Sequence, residues 1–159
     1  MIAKNIKSCD SYDYGAASAC LKIGDFVYFS GQLPLNEHNT LVNDTVSDEM
    51  YQILRNFVSL LNEIGLELRH IVKTTVYVTN LDNLEEVDLI YATFFAHPFP
   101  ARSVVEVSKL PFGAKVMVEA IAFDTLAYEK KFGYSPYNSE NGAQHDCDNC
   151  PDGDCSECF

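Results

Sequence analysis

The feature that most restricts this chain is one helical stripe. Met50, Ile53, Leu54, Phe57, Val58, Leu61 and Ile64 recur at steps of three and four residues, the spacing that lines one face of an α-helix. Asp48 and Glu49 fall in the first turn and Gly65 stands where a C-terminal cap belongs, which suits the helix dipole and the left-handed residue that often ends a helix. A helix with one apolar face has to lay it on a second layer. The rest of the chain must therefore supply that layer.

The flanking segments read as strands. Ile71 to Val78 alternates Val72, Thr74, Val76 and Val78 against Lys73, Thr75 and Tyr77, and this period of two predicts a central strand. Upstream, Ala19 to Leu21 and Phe26 to Phe29 flank the turn signal Gly24-Asp25, which predicts a hairpin. Ser30-Gly31-Gln32 ends its second strand, and Leu33 to Asn43, with Pro34 and three Asn, reads as a surface loop. Leu84, Val87, Tyr91, Phe94 and Phe95 predict a second helix, with Asp82 and Glu85 placed as a capping box. His97-Pro98 and Phe99-Pro100 end it, because the residue before a proline is pushed out of the helical region. Strands over Arg102 to Val107 and Lys115 to Phe123 complete the order ββ-α-β-α-ββ.

This pattern specifies an α+β fold: a single mixed sheet with two helices packed on one face. The last strand carries Val116, Val118, Ala120 and Ala122 on one side and Met117, Ile121 and Phe123 on the other. Both sides are apolar, so the face without helices also needs cover, and a homo-oligomer is expected.

The chain has 159 residues, enough for one ordinary core. Eleven Lys and Arg against 23 Asp and Glu give a net charge of −12, a field that repels phosphate backbones and anionic lipid. Neither a nucleic acid nor a membrane is expected as a partner. The first residues lack an apolar signal core, and no stretch approaches the ~20 apolar residues of a membrane span, so the expected location is cytoplasmic. From Tyr128 onward Gly, Ser, Asn, Asp and Cys replace apolar residues, and Glu140 to Phe159 holds six acids with no Lys or Arg. The expected organisation is a folded domain over 1–127 and an acidic, Cys-rich extension over 128–159.

Two groups stand out chemically. Glu119 lies on the Met117, Ile121 and Phe123 side of its strand, where a carboxylate is costly unless it is paired or used. Arg102 opens a strand directly after Phe99-Pro100-Ala101, and a guanidinium held there is shaped to grip a carboxylate with two parallel hydrogen bonds. Exposure or a structural ion pair would account for either residue. In the extension, Cys147, Cys150, Cys155 and Cys158 form two C-x-x-C pairs. Four thiolates suit tetrahedral zinc or iron, thiol redox chemistry is an alternative, and an unstructured extension is a third. His38, His70 and His97 show no partner pattern and receive no role.

Phe99-Pro100-Ala101-Arg102-Ser103 followed by Val105-Glu106-Val107, and then Val118-Glu119-Ala120-Ile121-Ala122, resembles the signature of the Rid (YjgF) family. Tyr28-Phe29-Ser30-Gly31-Gln32 and Ile71 to Val78 match in the same register, so the resemblance runs from about Gly15 to Phe123. It implies a homotrimer with sites at subunit interfaces and, for the RidA type, hydrolysis of 2-imino acids and their enamine tautomers to 2-keto acids and ammonia without a cofactor. By the same resemblance Arg102 would hold the substrate carboxylate, Glu119 would manage water and protons, and Ser30 would line the pocket. The chain departs from the RidA pattern at Ala17, where a pocket Tyr is usual, at Asp88 in place of Asn, and at Val104 in place of a frequent Cys. Two other functions are open: a non-catalytic regulator that binds a small carboxylate in the same pocket, and a metal or redox function carried by the cysteines.

Overall fold

The structure is a computed structural model that describes residues 4–6 and 16–132. The chain divides into two units, Met1–Thr125 and Leu126–Phe159. The first contains β1 (Lys4–Ile6), β2 (Cys20–Ile23), β3 (Phe26–Gln32), α1 (Val46–Glu63), β4 (Ile71–Val78), α2 (Leu84–Phe94), β5 (Ala101–Glu106) and β6 (Val116–Phe123). The strands form one sheet in the order β1-β2-β3-β6-β4-β5. Only β4 and β5 run parallel, and every other neighbouring pair is antiparallel, so the sheet is mixed as expected.

Local chemistry accounts for the elements. The hairpin of β2 and β3 closes through Gly24, whose φ of 62° lies in the left-handed region that glycine enters without a Cβ penalty. At the start of α1 the Thr45 hydroxyl accepts from the Asp48 N–H, a side-chain cap for one of the unpaired donors of the first turn. Gly65, at φ 74°, follows the helix end. Asn56 of α1 donates to the carbonyls of Leu33 and Leu35, which fastens the loop after β3 to the helix.

The core lies between the helices and one face of the sheet. Val27 and Phe29 of β3, Thr74, Val76 and Val78 of β4, and Val116, Val118, Ala120 and Ala122 of β6 are all buried. Met50, Ile53, Leu54, Phe57 and Leu61 of α1 are buried as well, with Leu60 in the place expected for Val58. Phe57 meets Phe29 edge to face with ring centroids 5.5 Å apart, and Tyr91 of α2 reaches Thr74. Both helices therefore cover the same face. Each buried Val, Leu, Ile, Phe or Met among them contributes roughly 1.5–3 kcal/mol. On the other face Phe26 and Tyr28 are exposed and Met117, Ile121 and Phe123 are half-buried.

Four details differ from the sequence expectation. β1 extends the sheet within what reads as a polar N-terminal arm, pairing Lys4–Ile6 with Lys22–Cys20; main-chain pairing does not require apolar side chains. Val72 is exposed rather than in the core, because the register shifts between Ile71 and Lys73. That irregularity turns Ile71 inward in its place. α2 is not capped by Asp82 and Glu85: a short 3₁₀ turn, Leu81–Asn83, precedes it, and the Asn80 side chain accepts from the Asp82 N–H. Finally, the second unit opens with α3 (Leu126–Phe132), so Tyr128 is helical. Among the described residues no helix is long and apolar enough to cross a membrane.

Candidate active site

Arg102 is the second residue of β5 and stands in register with Thr74 of β4, so it shares the face covered by α2. Its Nη1 lies 2.7 Å from Asp88 Oδ1, a close charge contact that falls short of an aligned hydrogen bond. Its guanidinium carbon sits 4.9 Å from the centroid of the Tyr91 ring, within the range of a cation–π contact. Asp88 and Tyr91 are three positions apart on α2, so one helix face presents both. Tyr91 is fixed in turn by the 2.9 Å contact of its hydroxyl with Thr74 Oγ1 and by stacking on Phe95 at 4.4 Å. Burial raises the pKa of the Tyr91 hydroxyl, opposed by Thr74 and by the Arg102 charge. The side chains of Arg102 and Asp88 are 26% and 47% exposed, while Oδ1 itself is buried. A guanidinium has five N–H donors, so donors beyond the Asp88 contact remain for a ligand. Val104, in register with Val76, is half-buried on the same face.

Glu119 occupies the opposite face. It pairs with Thr75 across β4 and β6, and the Tyr77 hydroxyl donates to its Oε1 at 3.1 Å. Burial, then the hydrogen bond to Glu119 and its charge, raise the Tyr77 pKa, which keeps that hydroxyl a donor. Met117 and Ile121 flank Glu119 on the strand. Lys73 and Ser103 share this face, with Lys73 Nζ donating to Ser103 Oγ at 2.7 Å. Arg102 and Glu119 are thus fixed on different faces of the sheet, and one chain alone does not bring them together.

Ser30 sits where the β3 register shifts between Phe29 and Gln32. Its hydroxyl donates to the Ser18 carbonyl at 2.6 Å and its N–H to the Ala19 carbonyl at 3.0 Å. Ser30 therefore ties β3 to the bend that holds the exposed Ala17. Beside it, Gly31 packs so closely on Met117 that a Cβ would come within 2.7 Å of the Met117 sulfur.

Tyr77 and Tyr91 are the functional candidates that sequence reasoning overlooked. The signal for Tyr77 was available, since it falls on the non-core side of its strand as Glu119 does on its own. Among the described residues no three His, Cys, Asp or Glu side chains cluster as a metal site. Cys147, Cys150, Cys155 and Cys158 lie outside the described residues. Cys20 is buried, and burial followed by the Glu63 charge pushes its thiol to about 11, far from the low values of reactive thiols.

These features define a small α+β protein with one helix-covered and one open sheet face, and with a partly exposed guanidinium on its edge strand β5. A family model described as Endoribonuclease L-PSP matches residues 11–124. A RutC family protein of Buchnera aphidicola is 37% identical over 112 residues, covering 69% of this chain and 88% of the relative. A crystal structure of a Rid family protein from Yersinia pestis superposes with a TM-score of 0.74 at 37% identity, over 77% of this chain and 99% of that one. A chloroplastic Reactive Intermediate Deaminase A of Arabidopsis thaliana is 37% identical over 109 residues, 68% of this chain and 58% of the longer relative. The chain belongs to the Rid (YjgF, RutC) family.

Proposed function

We propose that this protein is a deaminase that hydrolyses reactive 2-imino acids, and their enamine tautomers, to 2-keto acids and ammonia, acting as a homotrimer with its sites between subunits. The observation that carries this reading is the Arg102 guanidinium, held by Asp88 and Tyr91 with donors to spare. It is a rigid, partly exposed clamp of the shape a carboxylate needs. The 37% identity to a protein named as a reactive intermediate deaminase points the same way.

Arg102 grips the substrate carboxylate and fixes C2 for attack. Glu119 takes a proton from water as the water oxygen bonds to C2, then returns it to the nitrogen. The C–N bond then breaks as Glu119 takes the proton of the C2 hydroxyl and the carbonyl forms; that proton leaves on the departing ammonia, so an iminium plus water becomes a keto acid plus ammonium. The iminium carbon is already electrophilic, so orientation and charge placement suffice and no cofactor is required. Tyr77 holds Glu119 in place. Because Arg102 and Glu119 lie on different sheet faces, a site that uses both takes one from each of two protomers. The open apolar face of β3 and β6 supplies a surface for that contact.

The test is ammonia release from 2-iminopropanoate and 2-iminobutanoate generated in situ by an amino-acid oxidase. Wild type should exceed spontaneous hydrolysis, and Arg102→Ala or Glu119→Gln should lose roughly 100-fold or more, the usual contribution of a positioning clamp or a proton-transfer group. Wild type at the spontaneous rate would refute the proposal. A second reading, a regulator that binds a small carboxylate without turnover, draws on Asp88 standing against the clamp where the RidA pattern has Asn; it requires thermal stabilisation by a small amino or keto acid with no ammonia released. RNA cleavage, which the family model's description suggests, is disfavoured by the net charge of −12.

A further inference from the structure

We infer that Asp88 makes the Arg102 site selective for zwitterions, ligands that carry an iminium or ammonium nitrogen next to a carboxylate, over simple carboxylate anions. This rests on the reading of Arg102 as the carboxylate clamp.

The contact between Arg102 Nη1 and Asp88 Oδ1, at 2.7 Å, makes the clamp a dipole of no net charge rather than a lone cation. An anion that binds the remaining guanidinium donors brings its charge beside the Asp88 carboxylate, and like charges at contact distance are unfavourable at a partly solvated site. A 2-imino acid in its iminium form carries its positive nitrogen and its carboxylate on adjacent carbons. It can lie alongside the pair in opposite sense, carboxylate on Arg102 and nitrogen on Asp88.

Asp88 is suited to this role. Its Oδ1 is buried against the guanidinium, yet the side chain is 47% exposed, so part of it faces the solvent from which a ligand arrives. The pair is also braced from behind. Tyr91 lies under the guanidinium and is anchored to Thr74 and Phe95, so Arg102 keeps its position when a ligand competes for its donors.

There is a consequence for turnover. Hydrolysis converts a zwitterion of no net charge into a keto-acid anion and a separate ammonium ion. The site that attracts the substrate then repels the organic product, and Asp88 limits product inhibition without touching the water or Glu119.

A merely structural Asp88 would weaken all ligands together, so the decisive readout is a ratio within one protein. The full chain, as wild type, Asp88→Asn and Asp88→Glu, is titrated calorimetrically with L-2-aminobutanoate, a stable zwitterion, and with 2-oxobutanoate, an anion of the same length. 2-Iminobutanoate turnover is measured on the same samples. Wild type and Asp88→Glu should prefer the amino acid. In Asp88→Asn the preference should move toward the keto acid by roughly tenfold or more, the scale of one removed charge contact near a protein surface. The same ratio in all three proteins overturns the inference, as does the failure of wild type to bind either probe. Imine turnover with an unmoved ratio leaves the deaminase reading intact and removes Asp88's role. A shifted ratio without turnover removes the deaminase reading and leaves a zwitterion-binding site.

Discussion

Glu49 shows how much one residue can conceal. In the sequence it reads as a first-turn acid that favours the helix dipole, yet that position is served by Asp48, which pairs with the Thr45 cap. Glu49 is fully buried and points at the start of β6, where its Oε2 accepts from the N–H groups of Lys115 and Val116 at 2.7 and 3.0 Å. Burial raises its pKa, against the lowering by the two N–H groups and the Lys115 charge. A carboxyl with a raised folded-state pKa contributes stability that is complete below its unfolded value and is lost as pH rises through the folded one. Glu49→Gln removes that titration, so the melting temperature of the variant relative to wild type should climb between pH 4 and pH 8. A difference that is flat or falls with pH, followed by circular dichroism, would contradict this assignment. Glu49 was legible in principle: it falls on the same stripe as Val46, Met50, Ile53 and Phe57. A charged residue within an apolar period is simply read as surface until the partner that buries it is known, and that partner lies 66 positions away.

At the scale of elements, apolar period was a good guide and capping chemistry a poorer one. The stripe of α1 and the alternation in β4 and β6 survive because a one-residue slip would turn every core side chain to the wrong face. The exception, Val72, falls where the β4–β6 register is irregular, and a register irregularity depends on the neighbouring strand. Caps depend on a few local torsions, and here the chain inserts a 3₁₀ turn that moves the cap from Asp82 to Asn80. The Leu81 N–H of that turn is taken by Glu106 Oε2 at 2.8 Å, a partner from the end of β5 that local sequence does not reveal. Asn80→Ala should therefore cost about 1 kcal/mol, the usual worth of a side-chain cap, or roughly 3–5 °C for a domain of this size. Asp82→Ala should cost only a few tenths of a kcal/mol, as the loss of one exposed acid near a helix start. Thermal melts of the two variants in the reverse order would restore the capping box that the sequence suggests.

For the molecule as a whole, the separation of Arg102 and Glu119 is the fact that sequence could not supply. Both residues were recognisable from their motifs, but the face each occupies follows from the parallel pairing of β5 and the antiparallel pairing of β6 on either side of β4. Arg102 is turned toward α2, and Glu119 is turned to the open face with Tyr77. If the reaction needs both, each site draws Arg102 from one protomer and Glu119 from its neighbour, and inactive variants should rescue each other. Arg102→Ala and Glu119→Gln, each reduced roughly 100-fold or more alone, are co-refolded in equal amounts so that subunits mix at random. In a closed ring with one site per interface, a site works when the Arg-bearing protomer is the Glu119→Gln variant and its neighbour is the Arg102→Ala variant, so roughly a quarter of the wild-type rate should return. A site built within one chain returns nothing, because every protomer in the mixture lacks one of the two groups. Ammonia release from 2-iminobutanoate by the co-refolded mixture, set against the same variants refolded separately and then combined, separates the two arrangements.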